Sequence, residues 1–415
     1  MNLLINKIKP RTIIFFCFLI LTIFLCFWNL GNKVLERWDE ATNAEVVYEL
    51  VHSDNPFYLT LFSEPFFEKP PFWYYLTAIS VKILGYNEIG LRFVSALAGL
   101  GTILLIFKIT KEKINFSAGI TAGLVLLCTR HLFLNDSLLF STHNFRSADL
   151  DSLYLFFLFA SFSFLWKKIS TRNLIFAGIC AGLSFLSKGP FSLLPIIILF
   201  LYNFTQVRKN FWKHYLNFII PFFLTILPWH IFMTINWGNA FINTYFNYHI
   251  FLRTIQPIED HTESIIFYIF ILLNPRFFFS GLLLILSLTK LATKKYLFRN
   301  FFIFTIVSSI IIILVIVTLI QTKLSWYIFP IYPFSALAIA NLWSKEFKLT
   351  KIQFITVIFI NLSLFLFITE YQSILIIFIT LIFLVVLFHF PNVKTLILLN
   401  IFAILPIIIL NIYRL

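Results

Sequence analysis

Runs of about twenty apolar residues recur along the whole chain, and they constrain its fold more than any other feature. A bilayer core needs about 17–25 such residues in a helix to cross it. Inside lipid only helices or closed barrels satisfy their own backbone groups. The window places spans at 12–30, 91–110, 116–134, 152–166, 173–187, 190–204, 214–234, 276–291, 300–321, 326–343, 351–369, 373–390 and 394–412. The pair at 173–187 and 190–204 is short and reads as tilted, broken at Lys188-Gly189-Pro190. Only 12% of the residues are charged and 60% are hydrophobic, against about 25% charged in soluble domains. A soluble enzyme, a disordered chain and a disulfide scaffold are excluded. Cys17, Cys26, Cys128 and Cys180 lie in apolar runs without CxxC spacing and read as small hydrophobes. The expected class is an all-α polytopic membrane protein of thirteen transmembrane helices.

The net charge of +14 then acquires a topological meaning. Cytoplasmic loops carry the excess Lys and Arg. With the N-terminus inside, Lys7/Lys9/Arg11, Lys108/Lys111/Lys113, Lys167/Lys168/Arg172, Arg208/Lys209/Lys213, Lys290/Lys294/Lys295/Arg299, Lys345/Lys348/Lys351 and Lys394 all fall on that side. The outer loops are left net acidic, so the charge speaks for anionic lipids and not for nucleic acid. The first run lacks an A-x-A-like cleavage site and reads as an uncleaved span. Two long outer loops, 31–90 and 235–275, are rich in Trp, Tyr and Phe, which disfavours disorder. The second holds Glu259, Asp260 and Glu263. The expected organisation is a transmembrane core over 1–343, followed by transmembrane helices over 344–415 without a soluble domain.

Chemistry-bearing residues concentrate in the first outer loop. Apolar residues between Arg37 and Val51 recur at helical spacing, predicting an amphipathic helix on the membrane surface. Asp39 and Glu40 stand at its start, where the helix dipole favours carboxylates. Asp39 could simply cap the helix, or it could accept a proton from an attacking hydroxyl or amine. Further on, Phe67-Glu68-Lys69-Pro70-Pro71 enforces an extended entry and a helix start. Lys69 thereby sits at headgroup depth. It could snorkel to an ordinary ion-pair partner or meet a lipid phosphate as a point charge.

Taken in order, these segments resemble a family. Trp38-Asp39-Glu40-Ala41, Phe67-Glu68-Lys69-Pro70-Pro71, Arg92-Phe93-Val94-Ser95, Arg146-Ser147-Ala148-Asp149-Leu150-Asp151, Lys188-Gly189-Pro190, Pro228-Trp229, His249 with Arg253, and Lys323-Leu324-Ser325-Trp326-Tyr327 are similar to the aminoarabinose-transferase and protein-mannosyltransferase group of GT-C membrane glycosyltransferases. The resemblance implies a GT-C fold and inverting transfer of a sugar from a polyprenyl-phosphate donor to lipid A, another glycolipid or a protein. The site would lie on the outer, periplasmic face of a bacterial inner membrane. It further implies Asp39 as the catalytic carboxylate and Asp151 as the second, with Asp149 as the alternative. Lys69, Arg253 and Tyr327 would contact the phosphate, with Glu40, Arg146, Lys188 and Lys323 completing substrate binding. Glu68 and His249 would hold a divalent metal ion. No glycine-rich loop suggests a nucleotide cofactor.

The chain departs from the pattern at Thr42, where relatives carry an Arg. Arg130, Lys188, Arg253, Arg276 and Lys323 are candidates to replace it. The stretch from Arg130 to Asn144 is also unusually long and polar. Another GT-C polymerase or ligase, a flippase or transporter, and a non-catalytic scaffold remain as rival readings. A transporter would place ionisable groups mid-span, whereas here they gather at span ends and in loops.

Overall fold

The computed structural model describes residues 10–134, 142–205, 211–259, 261–274, 277–278, 280–293, 297–298 and 300–344. The expected spans at 351–369, 373–390 and 394–412, as well as Arg276, Asp260 and the start of the 276–291 span, lie outside them. Within the described residues the protein is almost entirely helical.

Helix boundaries follow local chemistry. After α1 (Pro10–Phe27) comes α2 (Asp39–His52), then a two-stranded antiparallel hairpin of β1 (Thr60–Leu61) and β2 (Glu64–Pro65). Its central residues Phe62 and Ser63 both have positive φ, 53° and 67°, as a tight primed turn requires. The Ser63 N–H is tied to Glu49 Oε1 at 3.0 Å. Next are α3 (Phe72–Leu84), starting just after Pro70-Pro71, and α4 (Glu88–Lys113). The Asn87 side chain caps α4 by accepting from the Gly90 N–H. Asn115 caps α5 (Phe116–Leu127) in the same way. Then come α6 (Asp151–Leu165), α7 (Thr171–Lys188), capped by Ser170, and α8 (Leu194–Thr205). Between the last two, Gly189 at φ 101° ends α7 and Pro190 opens a short 3₁₀ turn, so the chain breaks at Lys188-Gly189-Pro190.

The second long loop is more helical than the sequence suggests. α9 (Phe211–Phe241) runs past residue 234 through a kink at Gly238, and a π-helical stretch continues it over Ile242–Leu252. The dense aromatic residues here pack on one another and do not project as a loop. Trp229, Phe241 and Tyr245 form a cluster, with Phe241 and Tyr245 stacked at 5.3 Å. Then follow α10 (Phe267–Leu273), α11 (Gly281–Leu291), α12 (Phe301–Leu319) and α13 (Ile331–Ala340). Among the described residues, four helices are long and apolar enough to cross a membrane, and the protein is an integral membrane protein.

Two glycines set close approaches. A Cβ on Gly178 of α7 would lie 2.2 Å from the Phe218 carbonyl oxygen of α9, so these helices pack backbone to backbone, as small residues allow in membranes. A Cβ on Gly99 of α4 would lie 2.5 Å from the Phe145 ring, which seats the 142–150 segment against α4. A second core, separate from the main bundle core, joins Ala44, Val47 and Leu50 of α2 to Phe66, Trp73 and Tyr74, and to Leu150 and Leu153. The apolar face of α2 is thus covered by protein, not presented to lipid as its amphipathic pattern suggested. That core brings three distant stretches of sequence to one place.

Candidate active site

At that place, polar side chains form an unbroken line. Asp39, the first residue of α2, accepts from Lys69 Nζ through Oδ1 at 3.1 Å and faces His143 Nε2 through Oδ2 at 3.2 Å. His143 Nδ1 lies 2.6 Å from Asp151 Oδ2, and Lys188 donates to the same oxygen. Glu68 stands behind Lys69 at 3.6 Å. The line therefore runs Glu68, Lys69, Asp39, His143, Asp151, Lys188, alternating in charge wherever His143 is protonated. His143 also stacks on Trp326 with ring centroids 3.8 Å apart, an arrangement that favours an imidazolium.

Backbone strain marks the same spot. Trp38, just before Asp39, has φ 69°, and His143 has φ 63°. A left-handed backbone at bulky residues costs about 1–3 kcal/mol each and persists where surrounding structure dictates it. The surroundings here are hydrogen-bonded throughout. Tyr74 donates to Asn43 Oδ1 at 2.6 Å, and Asn43 donates to the Ala148 carbonyl at 2.9 Å. Trp73 donates to Ser95, which donates to the Asp149 carbonyl at 2.6 Å.

The electrostatics follow from this crowding. Burial would raise the Asp39 carboxyl, but the Lys69 ammonium and His143 outweigh it and hold the group well below the usual carboxylate range. Burial would lower Lys69, but Glu68 and Asp39 raise it, so it stays charged. For His143, burial and Lys188 work against the proton while Asp39 and Asp151 favour it, and the net direction is up. Burial pushes the Asp149 carboxyl up to about 7, against the pull of His143. A group with a raised folded pKa contributes stability that is present below its unfolded value and lost as pH rises through the folded one. Replacing His143 with Gln should therefore cost most thermal stability below about pH 6.5, and the gap to wild type should narrow as pH rises. Melting curves taken from about pH 5 to 9 check this; a gap independent of pH would deny His143 its charge.

Other expected site residues divide into two groups. Arg253, just beyond the π-helical stretch, pairs with Glu259 at 3.3 Å and faces the Tyr327 hydroxyl. His249 lies within electrostatic reach of Glu68, Lys69 and Arg253, so these side chains border the Asp39 end of the line. Three residues expected to bind substrate are engaged in holding the fold. Glu40 is 1% exposed and accepts from Arg92 Nε at 2.9 Å, Arg92 Nη2 at 2.8 Å, and the backbone N–H groups of Glu36 and Ala148. Lys323 turns its ammonium onto the carbonyls of Val317, Thr318 and Ile320, capping α12, where the dipole favours a cation. Arg146 donates to the Leu25 carbonyl at 2.9 Å and lines a cavity of about 40 Å³ with Arg92, Lys33 and Glu36. Their charges found partners within their own neighbourhoods, which motif order cannot reveal. Thr42 is half-buried within α2, and Arg130 opens a 3₁₀ turn.

His143 was missed from the sequence. It belongs to the long polar stretch from Arg130 to Asn144, but its two histidines, His131 and His143, stand too far apart in sequence to give a spacing signal.

The metal expectation fits poorly. Glu68 and His249 offer two donors, short of the three or four protein ligands typical of zinc, and the Lys69 ammonium already neutralises Glu68. Among the described residues, three donor groups gather instead at His143, Asp149 and Asp151, within 4.8 Å of one another. Those are occupied by Lys188, by the Ser147 hydroxyl on Asp149 and by the hydrogen bond between His143 and Asp151.

Comparison with known proteins agrees with this architecture. Over 95% of this chain and 76% of the other, the fold matches the crystal structure of ArnT from Cupriavidus metallidurans bound to undecaprenyl phosphate, with a TM-score of 0.73 at 18% identity. The two chains share a fold. The family model described as dolichyl-phosphate-mannose-protein mannosyltransferase matches residues 68–232. An uncharacterised Aquifex aeolicus protein is 26% identical over 80% of this chain and 74% of its own length. An undecaprenyl phosphate-alpha-4-amino-4-deoxy-L-arabinose arabinosyl transferase of Wigglesworthia glossinidia brevipalpis is 30% identical over 50% of this chain, but the match spans only 36% of that relative. The chain is thus similar, over part of its length, to protein mannosyltransferases and aminoarabinose transferases.

Proposed function

We propose that this protein transfers a sugar from a polyprenyl-phosphate donor to a hydroxyl or amine acceptor on a glycolipid or protein, with inversion. The reaction would take place at the periplasmic face of a bacterial inner membrane, with the N-terminus in the cytoplasm. The observation that carries this reading is the ion pair between Lys69 and Asp39, two residues 30 positions apart that meet at 3.1 Å.

The pair explains how one site serves two tasks. A carboxylate held far below neutral pH is a weak base, because general-base efficiency follows pKa. An arriving lipid phosphate competes with Asp39 for the Lys69 ammonium. Once Lys69 turns to the phosphate, Asp39 loses its strongest neutralising partner and becomes more basic. The acceptor oxygen or nitrogen then attacks the anomeric carbon, and the carbon–oxygen bond to phosphate breaks. The electron pair stays on the phosphate, and the acceptor proton goes to Asp39. Lys69, once turned to that phosphate, and Arg253 stabilise its developing charge in a partly dry site. Tyr327, facing Arg253, would donate to a phosphate oxygen. Asp151, itself held by Lys188, orients His143 so that it supports Asp39, which makes His143 a positioning residue.

The test is donor affinity and turnover in purified protein given a polyprenyl-phosphate sugar. Lys69→Ala should weaken donor binding about 10–100-fold, the value of one charge-assisted hydrogen bond. Unchanged affinity would leave Lys69 as an ion-pair partner and nothing more. Vesicles that carry the lipid across the membrane with its sugar–phosphate bond intact would instead favour a transporter.

A further inference from the structure

The end of the bundle away from Asp39 holds a second, unassigned arrangement of polar groups. α4 carries Arg92 and Ser95 beside the active site and ends at Lys113, about 30 Å further on at 1.5 Å per residue. α6 likewise leaves Asp151 and delivers Trp166 and Lys167 about 20 Å away. Between these ends lies a cavity of about 220 Å³. Its polar lining is Lys113, Trp166, Lys167, Tyr202, Asn203 and Asn300; the rest is apolar, and among the described residues no acidic side chain contributes.

Two of the polar groups inside are unsatisfied. Asn203 is 1% exposed, and neither its amide nitrogen nor its oxygen has a partner. The Trp166 indole N–H, on a side chain 4% exposed, is also without one. Buried polar groups in folded proteins are nearly always paired, so each exception calls for an explanation. At the mouth, Lys113 donates to the Trp166 carbonyl, and Lys167 is exposed. The N-terminus of α12, capped by Asn300 at 3.0 Å from the Phe302 N–H, points its positive dipole end the same way.

We propose that this cavity binds the phosphate of an anionic phospholipid headgroup that also carries a hydroxyl. The Trp166 N–H, the Asn203 NH₂ and the mouth lysines match an acceptor-only anion. Asn203 Oδ1 then accepts from a headgroup hydroxyl, which glycerol carries and choline lacks. The apolar walls take the adjoining glycerol and acyl carbons. In the topology set by the basic loops, this is the cytoplasmic leaflet, opposite the sugar-transfer site. The site is independent of that reaction and makes no use of its residues.

The test uses the full chain in phosphatidylcholine nanodiscs doped with phosphatidylglycerol, with bound lipid read by native mass spectrometry and stability by thermal melting. Wild type should retain phosphatidylglycerol and melt higher in its presence. Asn203→Leu, which removes an unpartnered buried amide, should lower retention roughly tenfold or more. Ile169→Trp, filling the cavity from a half-buried rim position, should do the same while leaving every lysine in place. A parallel arm adds inorganic phosphate alone. If that reproduces the whole melting shift, and Asn203→Leu abolishes it, the phosphate site stands with a soluble source. Equal phosphatidylglycerol retention by wild type and both variants would mean that surface lysines alone hold the lipid, and the proposal would be overturned.

Discussion

Asp39→Asn is expected to lower sugar transfer by about 10²–10⁴-fold, the usual contribution of a positioned general base, while the protein stays folded and binds its donor. Asn preserves the shape of the side chain. Its loss of charge removes the pairings to Lys69 and His143, but Lys69 keeps Glu68 and His143 keeps Asp151, so neither cation is stranded. Donor affinity is the informative second reading. With Asp39 neutral, Lys69 no longer has to be drawn away from a carboxylate, so phosphate binding should hold steady or tighten. Lys69→Ala moves the same quantity in the opposite direction. Turnover close to wild type in Asp39→Asn would sink the assignment of the base.

The second large effect concerns stability. Arg92 and Glu40 are both nearly fully buried, and Arg92 also donates to the carbonyls of Leu30, Lys33 and Val34. Removing one member of a buried, hydrogen-bonded pair strands the other and costs about 3–5 kcal/mol. Arg92→Leu and Glu40→Leu should each lose that much, read as a fall in melting temperature or in yield of folded protein. The double replacement should lose clearly less than the sum, because neither charge is then stranded. If Glu40 bound substrate directly, Glu40→Gln would raise the KM at unchanged stability, and the double-mutant coupling would be absent. The clasp holds the turn that leads into Asp39.

The two predictions separate residues that the sequence presents as neighbours. Asp39 and Glu40 are adjacent carboxylates at a helix start, chemically alike and equally suited to the helix dipole. One faces Lys69 and remains partly open; the other turns inward to Arg92. Adjacent residues on a helix point about 100° apart, so no motif can assign both to the same surface. Lys323 shows the same limit: its place in an ordered series of motifs suggested a phosphate contact, and the end of α12 claimed it. Conversely, His143 meets Asp39 across 104 residues and ties it to Asp151, and nothing local announces it.

What the sequence determined by itself is the physical class and the positions of most helices. Apolar period, length and capping residues are local, and lipid leaves the backbone few alternatives. It also singled out Asp39, Lys69, Asp151 and Lys188 as candidates, since Pro, Gly and charge in fixed order mark places where the chain must turn near an interface. Tertiary structure alone decided which charges meet. The second core packs α2, α3 and the start of α6 together, and only that packing brings Lys69 to Asp39 and His143 between two carboxylates. Ion pairs act over a few ångströms of space and are indifferent to separation along the chain.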